Sequence, residues 1–457
     1  MTTQPAGSET RPKAAAPGPD LRRIRHSTGT VIMAGGAKVK KWVRRRLLGI
    51  EPVPLHSPEL EELEGHEYPI VVYFAETPVR GYQVRQWLPV LQGVADELPV
   101  TIVTRSWAMT KFLRQETDLP VAFAKTLNGL MGVYEIIDPK VVVYVNNGMK
   151  NFQSLIYRQA MHVHVNHGES DKISMVSNQA KAYDYVVVAG QAAIDRHKSA
   201  LVHFDFDKLA TCGRPQLDLD FDASLERADA EVGTVLYAPT WSGENDANNY
   251  TSLDLYGVQI ARSVIERPKT RLVYKPHPRV LSSTDPDIAS AHEGILEMIR
   301  QANARGGQLH EAPIESDILS LFDSTDLLVT DISSVGLDFL YLRADAPILL
   351  TDRRSDRARL EDEAPIARSV DVIDESSVGD FGAILDSNLS EDLRAGSRGS
   401  ARDYYFGFDR GESSARFLRF LTSVAEQRDE LVQVGSRPEA QAGEAIDDED
   451  DEASLGA

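Results

Sequence analysis

At 457 residues the chain is too long for one ordinary core, so two domains plus tails are expected. Its apolar content of 42% marks a globular protein, and a formal net charge of -20 excludes general nucleic-acid binding by the body. A single cysteine, Cys212, excludes an intramolecular disulfide and a thiolate metal cluster, and fits a reducing cytoplasm. No apolar run reaches the ~18 residues of a membrane span. Thr30 to Ala37 is too short and glycine-rich for the apolar region of a signal peptide.

Residues 1–20 are rich in Pro, Ala, Gly and polar side chains, a composition expected to stay disordered. Residues 21–46 carry nine Lys or Arg and no acid. Within residues 21–48, bases alternate with Val39, Trp42, Val43, Leu47 and Leu48, a pattern that fits a short helix on an anionic membrane surface or a solvated basic arm. An acidic, Pro-bearing connector follows, so residues 1–66 are read as arm and connector.

From Tyr68 a strand–helix rhythm begins. Strands are expected at Pro69–Phe74, Val100–Val103, Val121–Ala124, Val141–Val145, Val163–Asn166 and Tyr185–Ala189, with helical patterns between most of them. Such alternation predicts a parallel sheet covered on both faces. Asp218–Glu231 reads as an acidic connector. The rhythm then restarts with strands at Thr234–Ala238, Arg271–Tyr274, Leu327–Val329 and Pro347–Leu350, and helices near 253–265, 286–305, 315–323 and 335–342. The expected fold class is α/β, with two doubly wound Rossmann-type domains, 67–220 and 232–425, facing each other across a cleft. Ligands in such sheets bind beyond the carboxyl ends of the strands. Residues 435–457 end in the acidic run Asp447–Glu452 and read as a solvated tail.

Four segments could carry chemistry. In His162-Val-His-Val-Asn-His-Gly-Glu-Ser-Asp-Lys172, His167 leaves the end of a strand and Gly168 permits a close approach. An imidazole there suits proton removal from a hydroxyl near neutral pH. His162 and His164 read as satisfied strand residues; they share one face, with His167 on the other, which argues against a zinc site. In Tyr237-Ala-Pro-Thr-Trp241, Thr240 and Trp241 follow a strand and could line a nucleotide site. In Tyr274-Lys-Pro-His-Pro-Arg279, two prolines stiffen a strand exit and hold Lys275, His277 and Arg279 as a cationic cluster suited to a pyrophosphate. Finally, Leu327–Leu342 runs from strand through Thr330, Asp331, Ser333 and Ser334 into a helix. That is a seat for phosphate, although helix capping alone explains the same residues.

In order along the chain stand His167-Gly168 with Lys172, Gly213-x-Pro215-x-x-Asp218, Tyr237–Trp241, Lys275-x-His277-Pro278, Thr330-Asp-x-Ser-Ser-Val335 with Asp338-Phe339, and Asp409-x-Gly411 with Ser414 and Arg416. As an ordered set over about residues 160–420 they resemble the CDP-glycerol glycerophosphotransferases that prime and polymerise wall teichoic acids. The resemblance implies a two-domain GT-B-type fold, with the acceptor near the first half and the CDP-alcohol held mainly by the second. It implies transfer of a polyol phosphate, glycerol phosphate first among them, to a hydroxyl of a lipid-linked or glycan acceptor, with release of CMP. His167 would be the general base and His277 would stabilise the departing CMP. Gly168, Lys172, Thr240, Trp241, Lys275, Arg279, Thr330, Asp331, Ser333, Ser334 and Asp338 would bind substrate. Such a cationic cradle calls for no metal or cofactor. An enzyme of this kind would work in the cytoplasm, peripheral on the inner membrane face, attached through residues 21–48. The alternatives are a GT-B sugar transferase or sugar-nucleotide epimerase using a UDP-sugar, and an inert polymer-binding paralogue. The chain departs from the family where the first motif, commonly His-Gly-(Thr/Ile)-Pro-Leu-Lys, reads His-Gly-Glu-Ser-Asp-Lys, and where the loop after Trp241 lacks a frequent base.

Overall fold

A computed structural model describes residue 63, residues 66–243 and residues 245–434. The basic arm at residues 21–48 and the acidic tail at 435–457 lie outside the described residues, as does most of the connector.

The strand–helix rhythm produces two wholly parallel sheets. The first contains β1 (Ile70–Phe74), β2 (Val100–Thr104), β3 (Val121–Phe123), β4 (Val141–Tyr144), β5 (Met161–His164), β6 (Tyr185–Val188) and β7 (Leu209–Thr211), in the order β3-β2-β1-β4-β5-β6-β7. The second contains β8 (Gly233–Ala238), β9 (Thr270–Tyr274), β10 (Leu327–Thr330), β11 (Ile348–Thr351) and β12 (Asp371–Ile373), in the order β12-β11-β10-β8-β9. Each order reverses direction once, between β1 and β4 and between β8 and β10. Parallel sheets open a crevice at such a reversal, at the carboxyl ends of the strands.

The strands read as continuous apolar runs because both faces are covered. In β1, Ile70, Val72 and Phe74 enter one core while Val71 and Tyr73 enter the other. In β10 the alternation repeats: Leu328 faces one core, Leu327 and Val329 the opposite one. The edge strand β12 was not expected from sequence, and β7 only as an apolar-flanked strand at Cys212. Each has three residues, and most of those stay half-exposed, so neither leaves a periodic apolar signal. The expected helix near 315–323 is instead a tighter 3-10 turn at Leu319–Ser324.

The last helix, Glu412–Val434, departs from the reading that assigned everything to residue 425 to the second half. Phe417, Leu421, Val424 and Ala425 belong to the core of the first sheet, with Phe417 5.2 Å from Trp87, ring centre to ring centre. Lys140 pairs with Asp429, and Arg428 with Asp138 at 2.5 Å. The chain thus returns to its first half after completing the second.

Candidate active site

At the end of β10 the chain turns through Thr330–Ser333 into the helix Ser334–Leu342. Ser333 stands at the N-cap with φ -159° and ψ 171°, and no side chain accepts from the first-turn N–H groups. Those donors stay available, as a phosphate seat requires. The residues before them are not available. Asp331 is fully buried and accepts from Thr240 N (2.6 Å), Ser252 N (3.0 Å) and the Thr351 hydroxyl. Burial pushes its carboxyl up to about 6, with those hydrogen bonds opposing. Thr330 is also buried and donates its hydroxyl to Ala238 O at 3.0 Å. Both side chains brace the turns around the crevice; neither faces a ligand.

The exit of β9 carries the cationic cluster. His277 N donates to Pro239 O at 3.0 Å, and Arg279 N donates to His277 Nδ1 at 3.1 Å. A backbone N–H can only donate, so Nδ1 is the acceptor and the neutral ring carries its proton on Nε2. The imidazole leans on Trp241 at 6.2 Å between ring centres, and the Arg279 guanidinium covers the same indole at 4.2 Å. Burial, then Lys172, Arg279 and Lys275, push His277 down to about 3. Lys275 is buried and donates from Nζ to Ile314 O at 2.5 Å, which occupies one of its three N–H groups, while its charge bears on His277.

The first half faces this cluster from the end of β5. Asn166 takes a left-handed φ of 54°, fixed by Trp87 Nε1 donating to its carbonyl at 2.6 Å and by its own side chain accepting from His167 N at 2.8 Å. His167 is turned so that its ring stands edge-on to Tyr82 at 5.8 Å. Burial and then the Arg214 charge push it down to about 4, against a hydrogen bond to the Val145 backbone. At Gly168 a Cβ would stand 3.7 Å from both Ser334 Cβ and Arg214 Nη1, so the two halves nearly touch there. Lys172 closes the gap: its Nζ donates to Thr240 Oγ1 at 3.0 Å. Burial lowers this ammonium to about 8, with Asp331 opposing.

Gly168 and Lys172 from one half thus meet Ser334 and Thr240 from the other, and the Lys172 charge reaches His277. Asp338 is not open to substrate, because it is buried against Arg214, whose Nη2 donates to it at 2.8 Å. Arg214 itself was not singled out in the sequence; the only sign of it was its place within Gly213-x-Pro215. The zinc alternative loses His162, whose two ring nitrogens lie 2.8 Å from Tyr144 Oη and 2.9 Å from Tyr157 O.

Residues 138–423 match the profile of the CDP-Glycerol:Poly(glycerophosphate) glycerophosphotransferase family. The chain belongs to that family. Membership implies a CDP-alcohol donor and an acceptor. Two solved structures share the fold of this glycerophosphotransferase-family chain. A putative UDP-N-acetylglucosamine 2-epimerase from Listeria monocytogenes is 14% identical with a TM-score of 0.55, covering 79% of this chain and 98% of its own. The wall teichoic acid polymerase TagF, soaked with CDPG, is 12% identical with a TM-score of 0.50, covering 89% and 98%. At such identities the likeness is one of architecture, a GT-B-like pair of parallel α/β halves. No curated protein matches the chain. Among the described residues no helix is long and apolar enough to cross a membrane.

Two family motifs turn out to pack on each other. Asp218 accepts from Gly411 N (2.7 Å) and Ser414 N (2.6 Å), so it caps the last helix from outside. Ser413 accepts from Arg214 N at 3.1 Å, and a side chain at Gly213, with φ 75°, would collide with Ser413. Asp409, from the same motif, is exposed and faces Arg402. The departure in the first motif is also structural. Glu169 and Asp171 each pair with Arg196 at 2.6 Å, and Tyr405 from the second half donates to Asp171. The two acids are tied inside the protein and do not add charge to the crevice.

Proposed function

We propose that the protein transfers a polyol phosphate, glycerol phosphate first, from a CDP-alcohol to a hydroxyl of a lipid-linked or glycan acceptor in teichoic-acid-like polymer synthesis. His167 takes the proton of the acceptor hydroxyl. The freed oxygen attacks the phosphorus next to the polyol, a new P–O bond forms, and the bond to CMP breaks. His277, through Nε2–H, and Arg279 stabilise the leaving CMP, while Ser333, Ser334 and the first-turn N–H groups of their helix hold the pyrophosphate. Lys172 and Thr240 join the two halves over the reacting centre. The observation that carries this reading is Lys172: it bonds Thr240 across the crevice and its charge reaches His277, so residues of both halves act on one place. Every catalytic charge in it comes from the chain. Attachment to an anionic membrane falls to residues 21–48, on the inner face, where a lipid-linked acceptor is reached without a span.

The test is a donor screen. CDP-glycerol, CDP-ribitol and UDP-sugars are incubated with acceptor while CMP, UMP and UDP are followed. CMP release from a CDP-alcohol, unaffected by excess EDTA, is the expected result. His167→Ala should cut that rate by about 10²–10⁴-fold, the usual contribution of a placed base, with donor affinity retained. Turnover of a UDP-sugar with no use of either CDP-alcohol would replace this reading with the sugar-nucleotide one.

A further inference from the structure

The loop that carries His167 and Lys172 is held from outside the crevice. Between them, where the family commonly has Thr or Ile, Pro and Leu, stand Glu169, Ser170 and Asp171, all three buried. Apolar side chains there need only packing, whereas two buried carboxylates need partners. One guanidinium serves both. Arg196, on the helix Gln191–Ala200, donates from Nη1 to Glu169 and from Nη2 to Asp171, at 2.6 Å each. The second oxygen of Asp171 takes its donor from the other half, the hydroxyl of Tyr405 at the end of the helix Ala395–Tyr405.

The direction of that bond is fixed. Ile366 N donates to the Tyr405 hydroxyl at 3.0 Å, and a backbone N–H cannot accept, so the one phenolic proton goes to Asp171. Burial, then the Asp171 charge, push the Tyr405 hydroxyl well above the usual phenol range, so it keeps that proton. The same helix end is clasped twice more. Tyr404 donates to Asp195 at 3.0 Å, and a Cβ at Gly190, just before the Arg196 helix, would stand 2.3 Å from Tyr405 O. The two helices therefore meet closely at the backbone. Asp171 is bonded to both of them, and the next residue is Lys172, which bonds Thr240.

We propose that Tyr405 is a positioning residue for the transfer: through Asp171 it fixes the end of the loop and so holds Lys172 in reach of Thr240. The ionic loop ties the crevice to a helix contact away from it, where an apolar loop is held by packing alone. The inference rests on the transferase reading and adds what aligns its cross-crevice bond.

Tyr405→Phe tests it, since it keeps the ring in its core and removes only the hydroxyl. With CDP-glycerol and a soluble acceptor, kcat should fall about tenfold, the loss of one hydrogen bond to a charged group, with KM for CDP-glycerol unchanged. In a Lys172→Met background the same change should leave the remaining kcat where it is, because the two residues act in series. A hydroxyl that only supports the fold would give equal losses in both backgrounds. Hydrogen exchange on the full chain, without substrate, supplies a second readout. Residues 168–172 should exchange several-fold faster in Tyr405→Phe and in Arg196→Lys, whose ammonium cannot fork to both acids, while β5 and β9 keep their protection. Equal losses of kcat in the two backgrounds, or exchange that is unchanged in residues 168–172 or faster throughout the chain, overturn the proposal. Should this loop alone loosen while the unaltered chain turns over no CDP-alcohol, the transferase reading fails and the tie from Tyr405 to the loop stands.

Discussion

His167 and His277 share a condition that their sequence context only half discloses. Strand exits, a glycine and two prolines mark them as placed residues, but burial keeps both unprotonated near neutral pH, at about 4 and about 3. For His167 that is the form a base needs. For His277 it means that the empty site is short of one proton. A pyrophosphate brings negative charge beside the ring, and an opposite charge favours the imidazolium, which forms when Nδ1 gives up the Arg279 N–H and takes the second proton. The complex then binds more protons than the free protein, so donor affinity should strengthen as pH falls through the pKa of the complex. Calorimetric titration of CDP-glycerol at pH 6, in two buffers of different ionisation enthalpy, should show proton uptake that vanishes in His277→Gln. Equal heats in both buffers would remove His277 from the pyrophosphate. Arg214 was illegible at this scale for a plain reason: its meaning is Asp338, 124 residues further on, and the side chain of an arginine in a loop announces no partner.

Leu327–Leu342 is a strand, a turn and a helix as expected, and its helix start is open. The residue types in the turn were legible; the direction each side chain takes was not. Thr330 and Asp331 point inward, and Asp331 ties the loop after β8, the turn at Ser252 and the end of β11 to the end of β10. Asp331→Ala leaves two backbone N–H groups and a hydroxyl buried without an acceptor. Hydrogen bonds to a charged group contribute about 1.5–3 kcal/mol each, so the fold should lose about 3 kcal/mol or more. Urea unfolding measures this. Donor affinity should fall with it, because Thr240 and Trp241 are held by the same carboxylate. A variant with unchanged urea midpoint and weakened donor binding would instead make Asp331 a direct ligand. The three-residue strand β12 escaped because its pairing is decided by its neighbouring strand rather than by its own pattern.

At the scale of the whole molecule, the order of the motifs identified the family, but not what each motif does. Gly213–Asp218 and Gly411–Arg416 are far apart in sequence and lock together, and Tyr405 reaches Asp171 across the halves. Such contacts hold the crevice in register and were invisible until the chain was folded. Charge, in contrast, was readable from the start. The chain carries -20 overall, yet residues 21–46 hold nine bases and no acid. Each base near an anionic leaflet contributes about 1 kcal/mol, and Trp42, Val43, Leu47 and Leu48 add apolar contact. The negative remainder is repelled by the same surface, so attachment should be weak at high salt and directed through the arm. A chain beginning at Glu51 should keep its turnover on a soluble acceptor. It should lose much of its turnover on an acceptor embedded in vesicles containing phosphatidylglycerol, and should cease to sediment with them at low salt. If it sediments as the full chain does, the arm is not the anchor, and the attachment surface must be sought on residues 67–220, where Met149 and Ile173 stand exposed on loops after β4 and β5.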